Sequence, residues 1–279
     1  MGGRKEISQQ HKALDVSRNI MTDRYKLHQF FQGKGTEPQY LSLQNITNEV
    51  YKTKELQIVT LAMDLPGKTL KQRQEIEDKW IQLLPLLDNV KVLSIRHSVK
   101  QDFFDAICKM KNLERLMFWT STVEDLSNIK TLAKLTNLKL WSFNRLKDIS
   151  PLLSLKKLTI LSIDNCFKVE NYEILGKMTQ LIGLVLCGDE SAPKKLRLNS
   201  LKPFETLSKL KHLDLSSASV IDNSYRSILK MTSLERFDIT VNIPKVTREL
   251  IKAKHKNLKA GFFMDWDFDN KKIYDGKHW

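Results

Sequence analysis

His212 and Asp214 stand two residues apart, a spacing that puts both side chains on one face of an extended strand, and a His/Asp neighbour pair is the beginning of a general-base dyad. A dyad needs a nucleophile in reach, and the sequence assigns none: there is no GxSxG elbow, no HExxH helix and no glycine-rich phosphate loop. Of the cysteines, Cys187 falls near the same face, while Cys108 and Cys166 fall at apolar positions. They form no CxxC pair, so neither a zinc knuckle nor a disulfide framework is indicated. Asp265, Asp267 and Asp269 begin like a calcium loop, but that loop needs Gly at its sixth position and Glu at its twelfth, where this chain has Asn270 and Gly276. The expectation is a protein without catalytic residues, bound metal or cofactor, in which His97 and His212 reach a binding face.

A second set of residues suggests recognition by contact. Tyr40, Arg96, Arg115, Met117 and Trp119 are of the types that protein interfaces enrich. Arg115, Met117 and Trp119 alternate along one segment and so share a face of a strand. With strands about 4.8 Å apart, Arg96 on a neighbouring strand would join them in one patch. His212, Asp214, Arg236 and Asp238 form a more polar second patch, suited to setting specificity.

The elements that must position these residues read as copies of one unit. In "LSLKKLTILSID", Leu153 to Asp164, leucines recur first at steps of three and then at steps of two. Written as L-x-x-L-x-L, the unit starts at Pro38, Leu56, Val90, Leu113, Leu138, Leu158, Leu181, Leu210, Leu234 and Leu258, giving ten copies spaced 18 to 34 residues apart. Only Pro38 and Gly261 fit an apolar position poorly. The two-step segment is a short strand with its leucines inward, and the three-step carries the chain around a corner into it. This frame turns Trp141 and Phe143 inward and sets Ile58, Thr60 and Ala62, and Leu140, Ser142 and Asn144, on the open face. Of thirty open-face positions, three are arginine, three are aspartate and none is lysine.

These units resemble leucine-rich repeats, whose period is about 20 to 29 residues. The resemblance covers Pro38 to Phe263 and implies an α/β solenoid, a horseshoe of about ten repeats with a parallel concave sheet and convex helices and turns. Leu146 to Leu158 resembles the short-helix subclasses of bacterial and SDS22-like repeats, and Lys100 to Met110 a longer helical return. The Asn or Cys usual eight residues after the first Leu is present only as Cys166 and Asn242, so the buried polar ladder is expected to be weak or replaced. A solenoid needs its ends covered. Residues 1–37, with Ile20, Leu27, Phe30 and Phe31, are expected to form a helical N-terminal cap, and 264–279 a capping strand or hairpin using Trp266 and Phe268.

The net charge of +14 raises a nucleic-acid reading, which needs clustered cations on one surface. The excess is expected on convex segments such as Lys252 to Lys259 and Lys194 to Arg197, leaving a nucleic-acid-associated adaptor as the minor alternative. The N-terminus lacks a signal-like apolar stretch, and the run "LLPLL", Leu83 to Leu87, is short and broken by Pro85, so a soluble cytoplasmic protein off the membrane is expected. The resemblance implies a non-enzymatic scaffold binding another protein on its concave face, as an adaptor, an inhibitor or a toxin-neutralising immunity protein.

Overall fold

The computed structural model describes residues 39–42, 46, 48–59, 67–189, 194–267 and 272–273. The chain divides into two compact units, residues 36–264 and residues 1–35 with 265–279. Of the second, the described part is an antiparallel pair, Trp266–Asp267 with Lys272–Ile273. The expected helical N-terminal cap lies outside the described residues, as does Phe268.

The larger unit is built on one sheet. Its strands are β1 (Gln39–Ser42), β2 (Glu55–Val59), β3 (Val92–Val99), β4 (Arg115–Ser121), β5 (Asn137–Trp141), β6 (Ile160–Asp164), β7 (Gly183–Cys187), β9 (His212–Asp214) and β11 (Arg236–Asp238). All nine pair in parallel and in chain order, and a bridge from Arg236 to Ala260 continues the sheet. β8 (Leu196–Leu198) and β10 (Ala218–Val220) form a separate parallel pair outside it.

The two leucine spacings specify two backbone forms. Along β4, Leu116 and Phe118 are fully buried while Arg115, Met117 and Trp119 stay partly open, the alternation of a strand with one covered face. The three-step runs Ile129/Leu132/Leu135, Leu152/Leu155/Leu158, Leu175/Met178/Leu181, Phe204/Leu207/Leu210 and Ile228/Met231/Leu234 are buried throughout. Each begins in a short 3-10 helix: Ser127–Thr131, Ser150–Ser154, Tyr172–Lys177, Lys202–Thr206 and Tyr225–Lys230. A helix of three residues per turn lines up every third side chain, so a period of three in the sequence buries one edge of a 3-10 helix as a period near 3.6 buries one face of an α-helix. Longer returns are α-helical: α1 (Leu70–Leu83), opened by a Thr69/Gln72 capping box, and α2 (Gln101–Ile107), the expected helical return. A further helix, α3 (Lys245–Lys254), follows β11.

The strand ends turn a corner through left-handed backbone at Ser142, Asn165 and Ser217, with φ of 55°, 57° and 54°, each seven residues after the first leucine of its unit. Small polar side chains tolerate that region. Gly261, a poor match to the apolar pattern, has φ 104°, and a Cβ there would stand 2.3 Å from the Phe237 carbonyl oxygen, so the site accepts only glycine. Below the strands an aromatic spine runs Phe104, Phe118, Phe143 at centroid distances of 5.9 and 5.5 Å, and Phe237 meets Phe263 at 5.2 Å.

The sparse Asn/Cys ladder is replaced, as its sequence pattern implied. Ser121 Oγ donates to Val99 O (3.0 Å) and accepts from Val123 N (3.0 Å), and Cys166 Sγ lies 3.3 Å from Asp164 O and 3.7 Å from Leu140 O. Asn242 sits outside the interior and accepts from Arg248 Nη1 at 2.8 Å.

Three units have a different frame from the one read in the sequence; in the first unit, Gln39 pairs with Leu56 and Leu41 with Ile58, which puts Leu41 at the third apolar position and not the second. Leu138 pairs with Leu116 and Leu161, and Leu140 with Phe118 and Ile163. The fifth unit therefore starts at Leu135, with Leu138 and Leu140 inward. Leu56 likewise pairs with Leu93 and Ile58 with Ile95, which starts the second unit at Thr53. Ile58 and Leu140 are therefore buried, Ser142 and Asn144 lie past the strand, and Trp141 turns out to the open face. Thr60 and Ala62 lie outside the described residues.

Candidate functional site

Strand register arranges the side of the sheet opposite the leucines in three rows, which are partly open at β4 and β5 and largely buried along β2, β6 and β7. The first runs Glu55, Val92, Arg115, Asn137, Ile160, Gly183, His212, Arg236. The middle row runs Gln57, Ser94, Met117, Lys139, Ser162, Val185, Asp214, Asp238. The third brings Arg96, Trp119, Trp141, Asp164 and Cys187 together at the strand ends. Tyr40 pairs through its backbone with Gln57, and its side chain is outside the described set.

The third row contains the most specific contacts of the face. The Arg96 guanidinium lies 4.6 Å from the Trp119 ring centroid, and Trp119 stacks on Trp141 at 4.6 Å with a 38° tilt. Lys139 Nζ sits 5.1 Å over Trp141 and 3.1 Å from Asp164 Oδ2, which also accepts from Ser162 Oγ at 3.0 Å. The order is cation, indole, indole, cation, acid. Both tryptophans are half-buried, Arg96 is exposed, and Arg115 and Met117 flank the stack on the same strand as Trp119. A stack with a cation against each indole satisfies the negative ring faces and leaves the positive ring edges outward.

Sequence reading placed Arg96, Arg115, Met117 and Trp119 together on this face, and the structure agrees. It missed Trp141 and Lys139, and with Lys139 the face does carry a lysine. The missing signal was the spacing: starting the fifth unit at Leu135 makes successive units 22, 23 and 23 residues long, whereas Leu138 gives 25 and 20. Both frames complete L-x-x-L-x-L, because Trp141 and Phe143 mimic the second and third apolar positions. His97 does not reach the face. The β3–β4 register shifts between Ile95 and Ser98, and His97 is buried edge-on against Phe103 at 4.7 Å. Burial holds its imidazole down at about 4. All three cysteines are buried and unbridged, Cys187 included.

The second predicted patch is assembled but largely closed on itself. Arg236 Nε and Nη2 donate to Asp238 Oδ2 (2.6 Å) and Oδ1 (3.2 Å), and the Phe262 amide also donates to Asp238 Oδ1 at 2.7 Å. Asp214 Oδ1 accepts from Ser216 N (2.8 Å) and Oγ (2.6 Å). Burial first and Asp238 second push the Asp214 carboxyl up to about 6; burial, opposed by Lys139, also raises Asp164. His212 is held below its usual value by burial and then by Arg236. This patch ties the last strands together, and its charges face one another more than they face outward.

Among the described residues no group of His, Cys, Asp or Glu has the geometry to hold a metal ion, and no helix is long and apolar enough to cross a membrane.

A parallel sheet in strict chain order joined by short helical returns is the fold of a leucine-rich-repeat solenoid. Solved structures of that class resemble the chain, one of them with a TM-score above 0.5. A leucine-rich-repeat protein of Leptospira interrogans superposes with a TM-score of 0.53 at 17% identity, over 80% of this chain and 58% of that one. Internalin C2 of Listeria monocytogenes matches at 20% identity and TM-score 0.42, over 63% of this chain and 73% of that one. An internalin of the same organism, InlF, matches at 18% and 0.45, over 63% and 55%. This chain thus spans little more than half of the InlF and Leptospira chains. No family model and no curated protein matches the sequence.

Proposed function

We propose that the chain is a non-enzymatic recognition module that binds another protein on the open face of its sheet, with Arg96, Trp119 and Trp141 as the centre of contact and Arg115, Met117 and Lys139 at its margin. The observation that carries this reading is the cation–indole–indole–cation stack. It holds large amphipathic side chains in one conformation before any partner arrives, which lowers the entropy lost on binding, and tryptophan and arginine are the residues that most often dominate binding energy. Tyr40 lies further along the same sheet and extends the contact. His212, Asp214, Arg236 and Asp238 support the sheet beyond it and set the register of the last strands. In its sharpest form the module is an intracellular inhibitor, such as a toxin-neutralising immunity protein.

The alternative of a nucleic-acid adaptor draws on the net charge and on the presence of Arg96, Arg115 and Lys139 on one face. Against it, Lys139 is paired with Asp164, and Asp214 and Asp238 follow on the next strands, so no continuous cationic track crosses the face. Affinity capture from native extract, with and without nuclease, tests the reading. A stoichiometric protein that survives nuclease and is lost with Trp119→Ala and with Trp141→Ala supports it. Material lost on nuclease treatment alone overturns it in favour of the adaptor.

A further inference from the structure

The proposed binding face leaves open what kind of protein segment it takes, and the stack narrows that choice. Base stacking and apolar side-chain stacking both need a free indole face. Here Arg96 and Trp141 both lie 4.6 Å from the Trp119 ring centroid, and Trp119 and Lys139 both lie against Trp141, so the stacking surface of the pair is already in use. What the pair offers outward is its edges, which carry the positive end of the ring quadrupole. Arg96 adds to this. Its guanidinium is exposed and lies against Trp119, yet among the described residues it makes no ion pair or hydrogen bond. A stacked guanidinium uses its face for the ring and keeps its in-plane N–H fork for a planar acceptor, and the acceptor that matches two parallel N–H groups is a carboxylate. The other end of the row is opposite in character: Asp164 Oδ1 is buried and has no hydrogen-bond partner, whereas Oδ2 is held by Lys139 and Ser162. From Arg96 to Asp164 the row crosses three strand spacings, roughly 14 Å, which an extended segment of four or five residues spans.

We infer that the occupant of this row is an extended, acidic protein segment lying across the strands, with an Asp or Glu carboxylate forked by Arg96 and backbone carbonyls against the edges of Trp119 and Trp141. The inference rests on the protein-recognition reading above and specifies its partner's chemistry.

The test is an NMR titration of the tryptophan indole N–H signals, assigned with Trp119→Phe and Trp141→Phe, using three probes. These are a short end-blocked peptide with one Glu near its start and uncharged residues after it, the same peptide with Gln for Glu, and an oligodeoxythymidine. The Glu peptide should shift the Trp119 and Trp141 signals and leave that of buried Trp80 in place. The Gln peptide should bind about tenfold more weakly, the scale of a hydrogen bond to a charged group. Arg96→Gln should erase the difference between the peptides, with the Trp80 signal showing that the fold is kept. If both peptides bind equally, or Arg96→Gln weakens both alike, the carboxylate assignment is wrong while the face remains a protein-binding one. Absence of any peptide shift overturns the inference, and shifts by the oligodeoxythymidine alone overturn both the inference and the reading beneath it.

Discussion

Phe118 and Trp119 are adjacent residues on one strand with opposite duties, and replacing each by alanine separates them. Phe118 is fully buried between Phe104 and Phe143. Deleting such a ring removes its burial and leaves a cavity, which costs about 3–5 kcal/mol. Trp119 is half-exposed. What it loses is the stack with Trp141, about 0.5–1.5 kcal/mol beyond burial, and the Arg96 contact, about 0.5–1 kcal/mol at an exposed site. Trp119→Ala should therefore lose about 1–2.5 kcal/mol on top of the burial of its covered half, and because the site is open and leaves no internal cavity the total should stay below that of Phe118→Ala. Trp141→Ala should likewise stay below it, although the simplest sequence frame puts Trp141 in the core. Equilibrium urea unfolding followed by far-ultraviolet circular dichroism measures all three, and the Trp119/Trp141 double mutant should show a coupling of about 0.5–1.5 kcal/mol. A Trp141→Ala cost equal to that of Phe118→Ala would refute the register of β5 against its neighbours, and zero coupling would refute the stack.

Three further outcomes are expected. His97 and Asp214 oppose each other in pH dependence: His97 falls from an ordinary 6.5 to about 4, so between those pH values the unfolded chain takes a proton that the native one refuses and stability drops as pH falls. Asp214 rises from 3.8 to about 6, so the native form protonates first and stability grows over nearly the same interval. Each effect is worth about 3 kcal/mol; denaturant titrations at pH 7 and pH 4 should show acid loss in Asp214→Asn and acid gain in His97→Gln, and identical slopes in both would contradict the assignments. Asp238→Ala removes the carboxylate that accepts from Arg236 and from the Phe262 amide and should cost about 1.5–3 kcal/mol in chemical denaturation, and an unchanged midpoint would contradict that pairing. Gly176→Ala puts a methyl 2.1 Å from the Pro203 carbonyl oxygen in the next return and should lower stability by about 1–3 kcal/mol; an unchanged unfolding midpoint would show that the returns are not packed as described.

The inward face was readable because its signal is redundant: an apolar residue at each second and third position buries the same side of every strand, and a few wrong frames among ten do not change the architecture. The same redundancy hid the fifth unit's true frame. "LTNLKLWSF", Leu135 to Phe143, satisfies the pattern starting at Leu135 and again at Leu138, and an aromatic residue fits either an inward position or an exposed stack. Unit length, not residue type, discriminates the two, because parallel strands stacked at a constant spacing favour returns of nearly constant length. His97 was misplaced for a different reason. A register shift after Ile95 breaks the strict alternation that the sequence implied, and no residue type in "SIRHSV" announces it. The chain of contacts from Arg96 to Asp164 spans four strands and 69 positions of the sequence. Such a contact set appears only when the register is known, so its two ends were legible singly and the stack was not.

Seating of a protein partner on the open face at the indole stack is the central claim. A photo-crosslinking amino acid placed at Met117, beside the stack, and separately at exposed Lys130, in the 3-10 return Ser127–Thr131, tests it in native extract. Position 117 should yield one discrete protein adduct that is resistant to nuclease, is abolished by Trp141→Ala and is absent from position 130. Equal adducts from both positions, or an adduct at 117 that nuclease removes, would contradict it.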